Sequence, residues 1–261
     1  MNILQFPSFS RFGNLAHFTT TSAGGVSSGE YRSMNLGYHV GDMDENVDRN
    51  RQRLCGLLNL DPGHLFVPRQ VHGAEILLLE QDFLNAGDRQ AVMLEGKDAL
   101  VTSQEGICIA VQTADCVPVL LYAEDKKVIA AIHAGWRGTC NHIVQAAVQE
   151  MIRHYGCDPE KIHALIGPSI GPDVFEVGAD VYDSFRDNGF DMDAISFFNP
   201  VSNKHHINLW ETNRLELMKI DVPGQQIEVA GICTYRSDNL FSARRSGIRS
   251  GRMLTGIVRT G

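Results

Sequence analysis

The chain has 261 residues, of which 43% are hydrophobic and 21% charged, a composition typical of a globular protein with a buried core. A formal net charge of −8 argues against a general nucleic-acid binder, whose surface is usually basic. No run of about 18 apolar residues indicates a membrane span, and the first residues do not resemble a signal peptide. We therefore expect a cytoplasmic protein with neither nucleic acid nor membrane as a partner.

The first half of the chain predicts one loop, one helix and a series of strands. Residues 23–42 are rich in Gly and Ser and predict a structured loop. Residues 44–58 predict a helix whose apolar face includes Arg51, and Asp42 or Asp44 is placed to cap it. Strands are predicted over 65–73, 74–80, 98–103, 107–113, 117–122 and 126–133, the last two forming a hairpin.

The second half contains the clearest helix, residues 141–156, where apolar residues form one stripe and Gly156 fits the C-terminal cap. A strand at 162–167, helices at 177–188 and 208–219, and a strand at 227–233 complete the pattern. Strands mixed with helices indicate an α+β (α/β mixed) fold with mixed sheets covered by helices. No linker or repeat divides the chain, so we expect a single catalytic domain over residues 1–261.

Three candidate metal ligands stand at the ends of predicted apolar strands. They are His72, Cys116 and His133. Two imidazoles and a thiolate suit Zn²⁺, and three protein ligands leave the fourth position open, as in catalytic sites. The spacing alone leaves another interpretation open, in which Cys116 is a buried core thiol and each His is satisfied locally.

The cysteines do not predict a disulfide framework. The chain has six, without a CxxC pair, and in a reducing compartment these are free thiols or metal ligands.

Eight segments resemble the laccase-domain family of bacterial purine nucleoside phosphorylases, formerly called multicopper polyphenol oxidases and related to a peptidoglycan-editing factor. The matching segments are MNLGYHVGD with the following NR, QVHGAEI, DALVT, QTADCVPVLLY, AAIHAGWRGT, IGPSIGPDVFEVG, LWETNRLEL and GICTYRSDNLFSARR. The resemblance implies Zn²⁺ bound by His72, Cys116 and His133. It also implies phosphorolysis of adenosine, inosine and 5′-methylthioadenosine, with adenosine deamination as a second activity, so that purine nucleosides and phosphate are the expected partners.

Deamination at a zinc site uses a neighbouring carboxylate to move protons. Asp115 is the nearest candidate in sequence, and Glu75 is a second. Adjacent residues of a strand point to opposite faces, so Asp115 faces away from Cys116 if the strand already begins there. A hydrogen-bonding role for Asp115 therefore remains open beside the catalytic one.

Phosphorolysis requires an anion site, and guanidinium groups bind phosphate through paired hydrogen bonds. Arginines in or beside the matching segments are Arg51, Arg69, Arg137, Arg244 and Arg245. Arg137 follows His133 in a Gly-flanked turn, and Arg51 lies on the core-facing side of its helix, so these two are favoured. The basic segment 243–252 can instead be a solvated stretch.

Three aromatic residues are candidates for stacking on a purine base. Trp136, Phe175 and Tyr235 lie in matching segments, and a place in the core is favoured for each.

Other functions compete with the nucleoside phosphorylase. The chain has 10 His but no His-x-His pair, which argues against multicopper oxidase chemistry, although copper can replace zinc in vitro. Cys116 and His133 without a metal would suit a cysteine-type hydrolase, and a cell-wall precursor editing enzyme or a binding protein is a further alternative. The chain is expected to be a monomer or a homodimer.

Overall fold

Two large β-sheets stacked face to face contain most of the buried core. The computed structural model describes residues 2–260. The strands are β1 Ile3–Leu4, β2 Leu15–Thr20, β3 Leu65–Phe66, β4 Ile76–Leu78, β5 Ala99–Thr102, β6 Cys108–Thr113, β7 Val117–Ala123, β8 Val128–Ala134, β9 Ile162–Ile166, β10 Glu176–Val177, β11 Ser196–Asn199, β12 Lys204–Ile207, β13 Ile227–Val229 and β14 Met253–Arg259.

Helices pack around these sheets. They are α1 Pro7–Ser10, α2 Asp44–Leu58, α3 Gln81–Leu84, α4 Arg89–Met93, α5 Trp136–Cys140, α6 Ile143–Tyr155, α7 Ala179–Asp187, α8 Met192–Ile195, α9 Leu209–Met218 and α10 Ala243–Ser246. Within residues 2–260, none of them is both long and apolar enough to cross a bilayer.

The first large sheet has the strand order β1-β2-β14-β6-β3, and the second has the order β13-β9-β7-β8-β5-β4. Both combine parallel and antiparallel pairs, for example antiparallel β7–β8 and parallel β13–β9. A small antiparallel sheet, β10-β12-β11, stands apart. The predicted α+β class with mixed sheets is therefore confirmed.

The alternation of side chains along β7 shows how the layers are built. Leu120 and Tyr122 point into the core between the two large sheets, whereas Val119 and Leu121 point toward the helices on the other side. All four are fully buried, and each large apolar side chain stabilises the fold by about 1.5–3 kcal/mol on burial. Because β7 is buried on both faces, it forms a rigid support for whatever lies at its ends.

The structure confirms the two main predicted helices and corrects several boundaries. Helix α2 has the predicted bounds. Helix α6 begins at Ile143, two residues later than predicted, and ends at Tyr155, with Gly156 as its C-cap in the left-handed conformation (φ 67°). The predicted caps of α2 are wrong, because the N-cap is Met43 and makes no side-chain capping bond. Asp42 lies one residue too early and accepts a hydrogen bond from the Met43 N–H.

Two predicted strands are much shorter than expected, and six strands were not predicted. The segment 65–73 is a strand only over Leu65–Phe66, since the chain then turns into the loop that contains His72. The segment 227–233 is a strand only over Ile227–Val229. The strands without a predicted counterpart are β1, β2, β10, β11, β12 and β14. Of these, β2 and β14 form the centre of the first sheet.

Candidate metal centre and adjoining cleft

Three strand-end side chains meet at one edge of the second sheet. Cys116 directly precedes β7, and His133 lies near the end of β8, where it pairs with Pro118. The loop between β3 and β4 brings His72 to the same place. One potential ligand atom from each residue lies within 4.8 Å of the other two. These three residues are the ligands predicted from the sequence, and the structure brings them together.

The backbone around this group is strained in two places. His72 has φ 62° and Asp115 has φ 90°, both in a region that residues with a side chain rarely occupy. Such conformations are held only by the surrounding structure, and they concentrate at functional sites. Tertiary contacts, not local backbone preference, therefore determine the conformation of the loop that contains His72 and of the turn before Cys116.

Asp98, which was not predicted from the sequence, orients His133 and the loop that contains His72. Its fully buried carboxylate lies 2.8 Å from the Nδ1 atom of His133 and accepts hydrogen bonds from the loop that contains His72. The His133 Nδ1–H bond leaves Nε2 as the lone-pair nitrogen available to a metal. The only local signal in the sequence is an acidic residue directly before an apolar strand.

The electrostatics of the group favour a thiolate. Burial opposes the charged form of Cys116, but His133 and His72 outweigh it, so the pKa of Cys116 falls to about 6. Burial also opposes the charged form of His133, yet Cys116 and Asp98 raise the pKa of His133 to about 9. These shifts describe a thiolate next to an imidazolium, and a divalent cation bound here would replace the proton on His133.

Gly135 leaves space directly beside the three side chains. A Cβ atom at this position would lie 3.2 Å from Cys116 Sγ, 3.4 Å from His72 Cδ2 and 3.5 Å from His133 Cε1. The first glycine of HAGWRG, Gly135, therefore allows the backbone to approach the candidate ligands closely.

A cleft of about 390 Å³ opens beside Cys116. Its lining is mainly apolar and consists of Ala114, Asp115, Cys116, Trp136, Ile170, Phe175, Leu209, Ala243, Arg244 and Ile248. A concave, largely apolar pocket with a few polar groups is the usual form of a small-molecule site. Trp136 and Phe175 are half-buried and contact the main core as well as the cleft, whereas Tyr235 is exposed and outside its lining.

Asp115 is held by hydrogen bonds on both carboxylate oxygens. One accepts from Thr234 Oγ1 at 2.6 Å, and the other accepts from the backbone N–H of Arg244 at 2.6 Å. These bonds attach the start of α10 to the turn before Cys116, which favours the hydrogen-bonding role over proton transfer. Glu75, the second candidate carboxylate, is exposed and pairs with Lys97.

The five candidate arginines are distributed around the centre. Arg51 is half-buried, donates two hydrogen bonds to the Leu36 carbonyl and stacks on Tyr38. It borders a separate cavity of about 240 Å³, which also contains Arg69 and Gln112. Arg69 pairs with Glu95 on the surface. Arg137 is exposed and stacks on Trp136.

The two arginines of α10 have different surroundings. Arg244 borders the cleft and donates long hydrogen bonds to the carbonyl oxygens of Val174 and Glu176. The guanidinium of Arg245 instead donates to four carbonyl oxygens, those of Thr234, Tyr235, Ser237 and Leu240. Arg245 therefore organises this loop, a role that the basic character of the segment did not reveal.

The chain matches proteins of one family over nearly its whole length. The family described as multi-copper polyphenol oxidoreductase laccase matches residues 16–260. A purine nucleoside phosphorylase of Bacteroides thetaiotaomicron is 46% identical over 98% of this chain and 96% of that protein. Adenosine deaminase RL5, from an unknown prokaryotic organism, is 40% identical over 93% of each chain.

The structural comparison agrees with the sequence comparison. The crystal structure of YlmD from Geobacillus stearothermophilus superposes with a TM-score of 0.89 and 32% identity, covering 98% of this chain and 94% of that one. The match over residues 16–260 and the close relatives confirm the resemblance found in the sequence motifs. The chain therefore belongs to the multi-copper polyphenol oxidoreductase laccase family.

Proposed function

We propose that this chain is a zinc-dependent purine nucleoside phosphorylase that also deaminates adenosine. The observation that carries the proposal is the convergence of His72, Cys116 and His133 beside a mainly apolar cleft. The names of two relatives, a purine nucleoside phosphorylase and an adenosine deaminase, support both activities. The substrates are adenosine, inosine and 5′-methylthioadenosine.

The donor set fits Zn²⁺. One thiolate and two imidazole nitrogens are ligands that zinc prefers, and donors around tetrahedral zinc lie about 3.5 Å apart. Since the ligand atoms already lie within 4.8 Å of one another, small side-chain movements suffice to bind the ion. Zn²⁺ supplies Lewis acidity at this position.

The cleft supplies the binding surface for the nucleoside. Trp136, Phe175 and Ile170 form apolar walls that suit a flat purine ring and exclude water from it. Asp115 holds α10 against this cleft through the backbone N–H of Arg244. The substrate-binding wall is thereby tied to the residue that directly precedes Cys116.

Phosphate is assigned to arginines without a carboxylate partner. Within residues 2–260, the ion pairs formed by arginines do not include Arg51, Arg137 or Arg244. A half-buried guanidinium such as Arg51, which forms no ion pair, favours a bound anion. Arg244 borders the cleft itself, so Arg51 and Arg244 are the first residues to test, with Arg137 third.

One experiment tests the metal and both reactions. Metal content is measured by mass spectrometry, and products are separated by chromatography after incubation with adenosine, or with inosine and phosphate. We expect one zinc per chain, inosine from adenosine, and hypoxanthine from inosine only with phosphate. Cys116→Ala, His72→Ala and His133→Ala should each lose zinc and both activities.

Two results would contradict the proposal. If a zinc-free variant still cleaves inosine at the wild-type rate, phosphorolysis occurs at another site. If protein stripped by a chelator keeps its activity and loses it only on alkylation of Cys116, the chain is a cysteine-type hydrolase instead.

A further inference from the structure

A single buried carboxylate connects the two histidines of the candidate metal centre. Asp98 is fully buried and directly precedes β5. Its Oδ1 atom lies 2.8 Å from His133 Nδ1 and accepts a hydrogen bond from the backbone N–H of His72 at 3.0 Å. One oxygen atom therefore fixes both the ring of one histidine and the backbone of the other.

The second oxygen of Asp98 holds the rest of the loop that contains His72. Oδ2 accepts from the Gly73 N–H at 2.7 Å and from the Val71 N–H at 3.3 Å. Three successive backbone donors, at residues 71–73, thus converge on one carboxylate. This clamp stabilises the left-handed conformation of His72 (φ 62°), which the residue would otherwise avoid.

The backbone of Asp98 adds a further link to β8. Its carbonyl oxygen accepts a hydrogen bond from the His133 N–H at 2.8 Å, next to the pairing of Ala99 with Ile132. Both the main chain and the side chain of His133 are therefore fixed by Asp98. A carboxylate that only closed the turn at residues 71–73 would not also need to contact His133.

We propose that Asp98 is the positioning residue of the metal centre, which sets the distance between His72 and His133 before a metal binds. The inference rests on the proposed function in that it assumes a metal at this group. Carboxylates that accept from the second nitrogen of a ligating histidine commonly raise metal affinity 10- to 100-fold. Here the same carboxylate also positions the loop of a second ligand.

Asp98→Asn is the informative substitution because it preserves size but not acceptors. Both carboxylate oxygens receive hydrogen bonds, Oδ1 from His133 and His72 and Oδ2 from Gly73 and Val71. An amide presents a donor on one side, so it must oppose one of these donor pairs. Either His133 or the loop of His72 then loses its anchor.

Glu216 provides a matched control. It is also buried, and its carboxylate accepts from Gln145 at 2.7 Å and Lys219 at 2.8 Å as well as pairing with His142 Nδ1. It lies in α9, and His142 does not belong to the candidate metal group. Glu216→Gln removes a comparable buried charge without touching the ligands.

Zinc affinity, measured by competition with a chromogenic chelator, is the first readout. Asp98→Asn should weaken zinc binding roughly 10- to 100-fold, while Glu216→Gln should stay within about twofold of wild type. The d–d absorption of the Co²⁺-substituted protein should also change in Asp98→Asn alone, because it reports ligand geometry. Wild-type zinc affinity in Asp98→Asn, or an equal loss in both variants, would overturn the proposal.

Hydrogen exchange of the loop amides is the second readout. The amides of residues 71–73 should exchange faster in Asp98→Asn than in wild type, even without metal, and unchanged exchange would overturn the clamp. If Asp98→Asn does not fold, wild-type protein decides, since added zinc should slow these amides and no change would refute the coupling. A wild-type chain that binds no zinc would refute the proposed function, whereas the metal-free exchange comparison would still test the clamp.

Discussion

Replacing Gly135 with Ala tests how closely the backbone must approach the metal centre. The added methyl carbon would lie 3.2–3.5 Å from atoms of Cys116, His72 and His133. Gly135 is the N-cap of α5 with φ −61° and ψ 166°, a conformation that Ala adopts readily. The substitution therefore changes the space beside the ligands rather than the path of the chain.

The expected effects on stability and on metal binding differ in size. Losing Gly at an N-cap position costs up to about 1 kcal/mol, while Gly→Ala gains about 0.4–1 kcal/mol through the unfolded state, so the free energy of unfolding should hardly change. A contact of 3.2 Å to Cys116 Sγ requires a movement of a few tenths of an ångström. Zinc sites tolerate ligand displacements of about 0.2 Å, and we expect zinc affinity to fall roughly tenfold, about 1.4 kcal/mol.

The assay combines urea unfolding of the metal-free protein with chelator competition for zinc. Gly56→Ala is the control, since no heavy atom lies within 4 Å of a Cβ there. In the last turn of α2, Gly56→Ala should raise stability by up to about 0.5–1 kcal/mol and leave zinc affinity unchanged. Zinc affinity in Gly135→Ala within twofold of wild type would refute the argument that this glycine is required by the ligands.

Two further predictions concern acid stability and the arginines. Burial lowers the pKa of His17 to about 4, so this imidazole is neutral in the folded protein. Because the unfolded chain takes up a proton at His17 more readily, up to about 3 kcal/mol of the free energy of unfolding is present above pH 6.5 and is lost as the pH falls toward 4. Urea unfolding between pH 7.5 and 4.5 should therefore show a shallower pH dependence in His17→Gln than in wild type, and identical slopes would contradict this. Arg51→Ala should raise the phosphate KM about ten- to a hundredfold through loss of a charge-assisted contact without releasing zinc, and an unchanged phosphate KM would exclude Arg51 from the anion site. Arg245→Ala should instead mainly lower the melting temperature, because four carbonyl oxygens lose their donor.

The candidate ligands could be predicted from the sequence because a run of apolar residues indicates a strand locally, and a His or Cys at the end of such a run is easily recognised. Cys116 and His133 flank two such strands, and the pairing of β7 with β8 follows from a short turn. Asp98 could not be found in this way, because its role depends on the register between β5 and β8 and on the path of a distant loop. Its importance is a property of tertiary structure, not of any local pattern.

The missed central strands β2 and β14 have a similar explanation. β2 and β14 are buried on both faces over most of their length, so neither shows the alternation of apolar and polar residues that predicts a half-exposed strand. Their inward residues include Thr19 and Thr255, whose hydroxyl groups hydrogen-bond to each other at 2.9 Å. These hydroxyl groups find their partners only when the two strands pair, which no local pattern shows.

The hairpin of β7 and β8 places the two less exposed ligands at its open end. Its turn, residues 124–127, lies at the opposite end, about 20 Å away for strands of this length, and Asp125, Lys126 and Lys127 are exposed. Insertions between Asp125 and Lys127 therefore leave the pairing of Pro118 with His133 intact. By contrast, deleting one residue of β8 between the turn and His133 would turn His133 to the other face of the sheet. An affinity tag or fluorophore is best placed in this turn.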